Sequence, residues 1–126
     1  MKYLIIIPAR GGSKGIPKKN IFLLKGMPLI KYTIDSALEV AANYNDIQAI
    51  VSTDDVEIKK IALNLGIEVP FLRPRDLSED HSSSSDYILH ALDFYSKQNI
   101  HIENIIVLQP TSPLRYVSDI ENAIDL

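Results

Sequence analysis

The sequence predicts an α/β fold, a Rossmann-like domain of three layers in which helices cover both faces of a mostly parallel sheet. Three observations lead to this prediction. Short apolar runs rich in β-branched residues alternate with stretches whose apolar residues recur at helical spacing. The connections between successive runs are long enough to hold a helix, as parallel pairing requires. The chain of 126 residues is 46% hydrophobic, which is enough to bury one core.

The first β-α unit begins at the amino terminus. A strand is predicted over Tyr3 to Ile7, a run of β-branched and aromatic residues that is closed by Pro8. The first helix is expected after Pro28, because proline suits the first turn of a helix. Its apolar residues would share one face: Ile30, Ile34, Ala37, Leu38 and Ala41.

The second β-α unit follows the same plan. Ile47 to Ser52 is predicted to be a strand. Asp54 and Glu57, three residues apart, predict a capping arrangement at the start of the next helix, and Gly66 predicts its end. The apolar stripe of that helix comprises Ile58, Ile61, Ala62 and Leu65.

Two more strands are predicted, over Ile67 to Leu72 and Asn104 to Leu108. The connection from Arg73 to Ser85 is rich in Pro, Asp, Glu and Ser, and loops of that length are usually functional or mobile. Two helices complete the pattern. One has its apolar stripe at Ile88, Ala91, Leu92 and Tyr95, and the other opens with a second capping box at Ser118 and Glu121.

Composition excludes several classes of protein. No apolar run approaches the ~20 residues that a membrane-spanning helix needs. The first apolar run ends at Pro8, too early for a signal peptide. The absence of cysteine excludes disulfides and thiolate metal sites, so a reducing cytoplasm is the expected location.

Charge is distributed unevenly along the chain, although the net charge is only −3. Residues 1–34 contain seven of the thirteen bases and no acid, since the first carboxylate is Asp35. This asymmetry favours an anion site near the amino terminus, and a solvated basic face is the alternative. Nucleic acid is a weaker hypothesis, because the acidic remainder would repel a long polyanion.

The segment after the first strand, Pro8 to Asn20, has the strongest functional pattern. It contains three glycines and four bases. Glycines let backbone N–H groups approach a phosphate closely, and Arg and Lys add charge, so the segment suits a triphosphate. Its spacing is neither that of a Walker A loop nor G-x-G-x-x-G. An ordinary glycine-rich turn with solvated lysines is the alternative.

This segment also carries a family resemblance. Its sequence Ile-Pro-Ala-Arg-Gly-Gly-Ser-Lys-Gly, followed by Lys19-Asn20, resembles the N-terminal signature of the acylneuraminate cytidylyltransferases, the CMP-sialic acid synthetases. Val51 to Asp54, Leu72 to Pro74 and Leu108 to Arg115 resemble that family's next three strand ends, in order and spacing. The resemblance covers the whole chain and implies a fold of the nucleotide-diphospho-sugar transferase type.

The resemblance implies a reaction and a set of residues. The reaction is transfer of CMP from CTP to the anomeric hydroxyl of a nine-carbon 2-keto sugar acid, with release of pyrophosphate and the help of Mg²⁺. N-acetylneuraminate is the first expectation for the acid, with legionaminate or pseudaminate as alternatives. Arg10 and Lys14 would be catalytic. The substrate-binding residues would be Arg10, Gly12, Ser13, Lys14, Asn20, Arg73, Ser82, Ser84 and Gln109.

Within that set the resemblance assigns separate tasks. Arg10, Ser13 and Lys14 would contact the CTP phosphates, and Asn20 would help to hold the nucleotide. Arg73 would read cytosine together with Ser82 and Ser84. Gln109 would bind the acidic sugar.

The residues alone leave alternatives to these tasks. Arg75 competes with Arg73, and either is compatible with a solvated surface arginine. The serines at 82–85 also suit a flexible linker or a helix N-cap. Gln109 suits a loop-capping amide, and Arg115 suits either an acidic sugar or an anchor for the following helix.

No metal ligand is predicted within the chain. Asp54 and Asp55 form an acidic pair after a strand, but an N-cap role is favoured for Asp54. His81, His90 and His101 share no ligand spacing and are expected in a loop, on a helix surface and in a loop.

The last helix has barely begun when the sequence ends at Leu126. Residues 1–126 are therefore interpreted as the N-terminal, nucleotide-binding part of a single cytidylyltransferase domain. By resemblance, the Mg²⁺ ligands, much of the sugar pocket and a dimer arm would lie beyond it, and the full-length protein is expected to be a cytoplasmic homodimer that binds neither nucleic acid nor membrane. A non-catalytic nucleotide-binding fragment is the competing hypothesis.

Overall fold

The computed structural model describes residues 1–9, 23–24, 27–74, 84–109 and 117–124. The helices are α1 (Leu29–Asn43), α2 (Val56–Asn64), α3 (Ser84–Ser96) and α4 (Val117–Ile124). The strands are β1 (Tyr3–Pro8), β2 (Leu23–Leu24), β3 (Met27–Pro28), β4 (Ile47–Ser52) and β5 (Asn104–Val107).

The main sheet has the order β4-β1-β5, and both pairings are parallel. Tyr3 of β1 lies opposite Ile47 on one side and Asn104 on the other. The chain therefore runs from β1 outward to β4 and then returns across β1 to β5. This reversal places a topological switch point between β1 and β5, where open α/β sheets bind their ligands.

The third predicted strand forms only two parallel bridges beside β4, Ile50 to Glu68 and Thr53 to Leu72. Pro70 lies between these bridges and has no N–H group, so it cannot donate to a continuous ladder. The segment still occupies the edge of the sheet, because Val51 N donates to the Glu68 carbonyl at 3.0 Å. The prediction is correct in position and wrong in its continuity.

Both faces of the sheet are covered, which explains why β1 is apolar at every position rather than alternating. Ile5 and Ile7 of β1 face one apolar cluster, which includes residues of α1, α2 and α4. Leu4 and Ile6 face a second cluster, in which α3 supplies Tyr87, Ala91 and Tyr95. The three-layer fold class is confirmed.

Helix starts differ from the sequence prediction in small ways. The N-cap of α2 is Asp55 rather than Asp54, and its carboxylate accepts from Glu57 N at 2.8 Å and Ile58 N at 3.2 Å. Thr53 Oγ1 accepts from Asp55 N at 3.1 Å, a turn that places the cap one residue later than expected. Gly66 ends α2 as predicted, with a φ of +94° that favours glycine.

The last helix also starts earlier than predicted. α4 begins at Val117, so Ser118 is inside the helix rather than its cap. Glu121, the expected partner in the capping box, instead accepts from Asn43 Nδ2 of α1 at 2.7 Å. This contact ties α4 to α1 on the same face of the sheet.

A short antiparallel hairpin of β2 and β3 precedes α1 and was not predicted. Two residues per strand are too few to produce a period in the sequence. Pro28 is the last residue of β3, directly before the first helical residue, and not within the first turn as expected.

Candidate functional site

The carboxyl ends of the main strands meet at one edge of the sheet. Ala9 N, just after β1, donates to the Ser52 carbonyl at the end of β4, at 2.9 Å. Leu108 N, just after β5, donates to the Ile6 carbonyl at 3.0 Å. These bonds continue the sheet past its last strand residues, and they define the edge at which the glycine-rich segment begins.

Arg73 is brought to this edge by its own backbone. Its N–H donates to the Thr53 carbonyl at 2.7 Å, which fixes the residue beside the end of β4. The side chain is only 6% exposed, and its Nη2 donates to the Ser52 carbonyl at 3.3 Å. A buried guanidinium needs such partners because desolvating a charge is costly.

Tyr87 of α3 lies against Arg73. The guanidinium carbon is 5.5 Å from the centre of the Tyr87 ring, within the range of a cation–π contact. Burial raises the pKa of the Tyr87 hydroxyl, and the Arg73 charge and the Gln109 side chain oppose that rise. Val107 packs against the cluster that contains Tyr87, and Gln109 follows it by two positions, so Gln109 lies on the same face of the sheet. The Tyr87 hydroxyl has no hydrogen-bond partner in the described residues.

Ser52 adds a further polar atom at the same place. It follows Ile50 by two positions in β4, so the two side chains point to the same face of the sheet, the face covered by α3. The Ser52 hydroxyl is buried and has no hydrogen-bond partner in the described parts of the chain. Hydrogen-bonding groups therefore lie along the carboxyl edge of the sheet, on Ser52, Arg73, Tyr87 and Gln109.

His90 lies one turn further along α3, and its environment differs from the expected helix surface. Its ring meets the edge of Phe71 at a centroid distance of 4.6 Å, and the side chain is half-buried. Burial lowers the pKa of His90, and Arg73 lowers it further. The neutral imidazole is therefore the favoured form beside the Arg73 charge.

The structure places two of the predicted site residues, Arg73 and Gln109, at the carboxyl edge of the sheet, and Arg73 contacts Tyr87. Ser84 is the first residue of α3, so it belongs to a helix rather than to a linker. The remaining predicted residues, and the alternatives Arg75 and Arg115, lie outside the described residues: Arg10, Gly12, Ser13, Lys14, Asn20 and Ser82.

Sequence reasoning missed Tyr87. The predicted inner face was Ile88, Ala91, Leu92 and Tyr95, whereas the buried residues among the described side chains of α3 are Tyr87, Ala91 and Tyr95. These three recur at intervals of four, so the spacing that identified Ala91 and Tyr95 would also have identified Tyr87.

Neither a metal centre nor a membrane helix emerges from the described segments. Among them, no group of three or more His, Asp or Glu residues is placed to hold a metal ion. The Asp55 carboxylate is engaged as the α2 cap. None of the helices in these segments has the length and apolar character that crossing a bilayer demands.

The fold and the polar groups at the carboxyl edge of the sheet together define the class of the protein. A parallel sheet covered on both faces, with polar groups beyond its carboxyl ends and a glycine-rich segment after β1, is typical of Rossmann-like nucleotide-binding domains. The sequence matches the cytidylyltransferase family over residues 4–125. The chain belongs to this family, and the family resemblance noted in its motifs is confirmed.

Individual relatives narrow the comparison. The chain is 42% identical, over 90% of its length, to the pseudaminic acid cytidylyltransferase of Campylobacter jejuni, of which it covers 48%. It is 40% identical, over 99% of its length, to the N-acylneuraminate cytidylyltransferase of Escherichia coli O18:K1:H7, of which it covers 28%. The chain thus spans half or less of the length of these relatives.

A solved structure supports the fold directly. CMP:2-keto-3-deoxy-manno-octonic acid synthetase, complexed with CTP, superimposes with a TM-score of 0.78 at 26% identity. The match covers 99% of this chain and 46% of that one. The nucleotide-sugar cytidylyltransferase type of the fold is therefore confirmed.

Proposed function

We propose that the full-length protein transfers CMP from CTP to the anomeric hydroxyl of a nine-carbon 2-keto sugar acid and releases pyrophosphate. The observation that carries this proposal is membership of the cytidylyltransferase family over residues 4–125. The two relatives compared above are both named for CMP transfer to acids of this kind. Residues 1–126 form the N-terminal, nucleotide-binding part of a single domain in this proposal.

The triphosphate is assigned to the glycine-rich segment that starts at the end of β1. Arg10 and Lys14 neutralise the charge that develops on the phosphates as the bond to pyrophosphate breaks, which is the principal demand of phosphoryl transfer. Gly12 and Ser13 bind the same phosphates, and Asn20 holds the nucleotide. The segment leaves β1 at the switch point of the sheet, which supports the assignment.

The cytosine base is assigned to Arg73, with Ser82 and Ser84. Arg73 is buried at the carboxyl edge, and its guanidinium presents several donors in a rigid plane. Cytosine offers a carbonyl oxygen and a ring nitrogen as acceptors, which suit such a donor. The position of Ser84 at the first turn of α3 is compatible with this task.

The sugar acid is assigned to Gln109. This residue is exposed just after β5, on the other side of the switch point from β4. Its carboxamide both donates and accepts, so it suits sugar hydroxyls and a carboxylate. N-acetylneuraminate is the first choice of acceptor, with pseudaminate or legionaminate as alternatives, because the two relatives compared are named for different acids at similar identity.

Mg²⁺ is proposed as the cofactor, since a divalent cation neutralises phosphate charge in reactions of this class. The described residues contain no group of three or more His, Asp or Glu placed to hold it, and the Asp55 carboxylate accepts two backbone amides. Its ligands are assigned to residues outside those described. The full-length protein is further proposed to be a cytoplasmic homodimer.

Pyrophosphate release by the full-length protein tests the proposal. Each of the four nucleoside triphosphates is supplied in turn with Mg²⁺ and a panel of nine-carbon keto-sugar acids. Turnover with CTP and one acid is expected, and it names the acceptor. Binding of CTP by calorimetry without turnover for any acid would instead support a non-catalytic nucleotide-binding protein.

A further inference from the structure

The tyrosine at position 87 is more polar than its surroundings require. Its side chain is 6% exposed and lies in an apolar cluster with Leu4, Ile6 and Ile50. Within the described residues its hydroxyl has no hydrogen-bond partner. A buried hydroxyl without a partner costs free energy, so phenylalanine would serve the apolar cluster better. The hydroxyl therefore calls for an explanation other than packing.

The contacts of Tyr87 suggest a reason for a tyrosine at this position. Its ring supports the Arg73 guanidinium, whose carbon lies 5.5 Å from the ring centre. The same guanidinium donates to the Ser52 carbonyl at the end of β4. Arg73 is thus held between the end of the sheet and an aromatic face, which restricts where its donors can point.

Gln109 lies on the same face of the sheet as Tyr87, because Val107 packs against the Tyr87 cluster, Leu108 faces the opposite cluster and Gln109 follows. In agreement with that placement, the Gln109 side chain opposes the rise that burial causes in the pKa of the Tyr87 hydroxyl. Gln109 itself is exposed just after β5. A tyrosine hydroxyl can both accept from and donate to a carboxamide, so the two groups are chemically suited to pair.

We propose that Tyr87 is a positioning residue that couples the two substrate subsites: its ring orients Arg73 for the nucleotide, and its hydroxyl orients Gln109 for the sugar acid. This inference rests on the proposed function. Tyr87 touches neither reacting atom, and it acts through the two residues beside it. Its ring and its hydroxyl therefore have separable effects, one on each substrate.

Tyr95 provides a matched control. It lies two turns further along α3 on the same face, is 3% exposed, and its hydroxyl also has no partner among the described residues. Burial raises the pKa of Tyr95 to about 12, and the charged group that acts on it is Glu68 rather than Arg73. Removing its hydroxyl reports the effect of a buried tyrosine that is remote from the site.

The test measures kcat, and KM for each substrate, in the full-length protein carrying Tyr87→Phe, Tyr87→Leu or Tyr95→Phe. Tyr87→Phe keeps the ring, so KM for CTP stays within twofold while KM for the sugar acid rises about fivefold. Tyr87→Leu removes the ring as well, so KM for CTP also rises, by about tenfold. Tyr95→Phe changes neither KM.

A double-mutant cycle isolates the hydroxyl. If Tyr87 acts through Gln109, the effect of Tyr87→Phe on KM for the sugar acid disappears in a Gln109→Ala background. Additive effects in this cycle would overturn the coupling to Gln109. If Tyr87→Phe and Tyr95→Phe have the same effects on kcat and on both KM values, Tyr87 is only a packing residue.

Failure of the inference about Tyr87 can be distinguished from failure of the proposed function. Wild-type turnover with unchanged KM values in both Tyr87 variants would overturn this inference alone. Wild-type protein that binds CTP without turnover would contradict the proposed function, and calorimetry with Tyr87→Leu would still test the orientation of Arg73. If Tyr87→Leu does not fold, Tyr87→Phe and the cycle with Gln109 decide the question.

Discussion

Arg73 donates from Nη2 to the Ser52 carbonyl at 3.3 Å, and the same oxygen accepts from the backbone N–H of Ala9 at 2.9 Å. One carbonyl at the end of β4 therefore joins the end of β1 to the buried arginine. The glycine-rich segment begins directly after Ala9. A single point at the sheet edge thus connects the segment assigned to the triphosphate with the side chain assigned to the base.

Replacing Arg73 by methionine is expected to weaken CTP binding more than it weakens the fold. The backbone N–H of residue 73 still donates to Thr53, and a buried charge can often be replaced by an apolar side chain of similar size. Loss of charged hydrogen bonds to the nucleotide predicts a rise in KM for CTP of about 10- to 100-fold. Steady-state kinetics and thermal unfolding of the full-length variant measure the two effects.

Arg75→Met is the control for this prediction, since the sequence alone does not separate the two arginines. We expect KM for CTP to change by less than threefold in this variant. A larger loss for Arg75→Met than for Arg73→Met would transfer the base-reading task to Arg75.

Arg10→Ala is expected to reduce kcat by about 100- to 1000-fold, the range seen when a group that stabilises developing charge is removed. Folding should be affected little, because the charge acts mainly on the bound phosphates. Kinetics at saturating CTP, together with urea unfolding, compare the two. A loss of stability in proportion to the loss of activity would contradict a catalytic role.

Asp55 distinguishes a helix cap from a metal ligand. Asp55→Ala removes the acceptor for Glu57 N and Ile58 N and is expected to lower the free energy of unfolding by about 1 kcal/mol. Asp55→Asn keeps a capping oxygen, so stability, activity and the Mg²⁺ dependence of turnover should all stay close to wild type. Selective loss of Mg²⁺ activation in Asp55→Asn would make this carboxylate a metal ligand.

His90 predicts a pH dependence of stability. Burial and the Arg73 and Lys97 charges lower the pKa of His90 below its ordinary value of 6.5, and Asp93 opposes them. The unfolded chain therefore binds a proton more readily than the folded one as the pH falls through 6.5. The free energy of unfolding should fall over this window, towards the lower pKa of the folded state.

His90→Gln is the test of that dependence. Urea unfolding at several pH values between 8 and 5 is expected to give a shallower decline for His90→Gln than for wild type. His101→Gln, a change at an exposed loop histidine, should follow the wild-type curve. If the free energy of unfolding depends on pH equally in wild type and His90→Gln, His90 does not cause that dependence.

Sequence periodicity predicted the framework well because both faces of this sheet are buried. Ile47–Ser52 was predicted with its observed bounds, because this short, mostly apolar and β-branched run is typical of a buried strand. The prediction for Ile67 to Leu72 was less accurate, because Pro70 has no N–H group and only two isolated bridges form beside β4. The β2–β3 hairpin is too short to have a period.

The site was predictable only in part. The position of Arg73 and Gln109 at the carboxyl edge was predicted from their motifs, which follow strands. Tyr87 was missed because its importance depends on the Arg73 contact, which joins residues from a strand end and a helix. The Asp55 cap was misplaced by one residue because two adjacent aspartates both suit a cap, and the local hydrogen bond from Asp55 N to Thr53 Oγ1 favours the second.

Product analysis tests directly whether the full-length protein transfers CMP from CTP to a keto-sugar acid. The full-length protein is incubated with CTP, Mg²⁺ and N-acetylneuraminate, pseudaminate or legionaminate, and the products are identified by mass spectrometry. We expect a CMP ester of the anomeric hydroxyl of one acid, together with pyrophosphate in equal amount. Free CMP with pyrophosphate and no ester, or CTP bound and recovered intact with every acid, would contradict it.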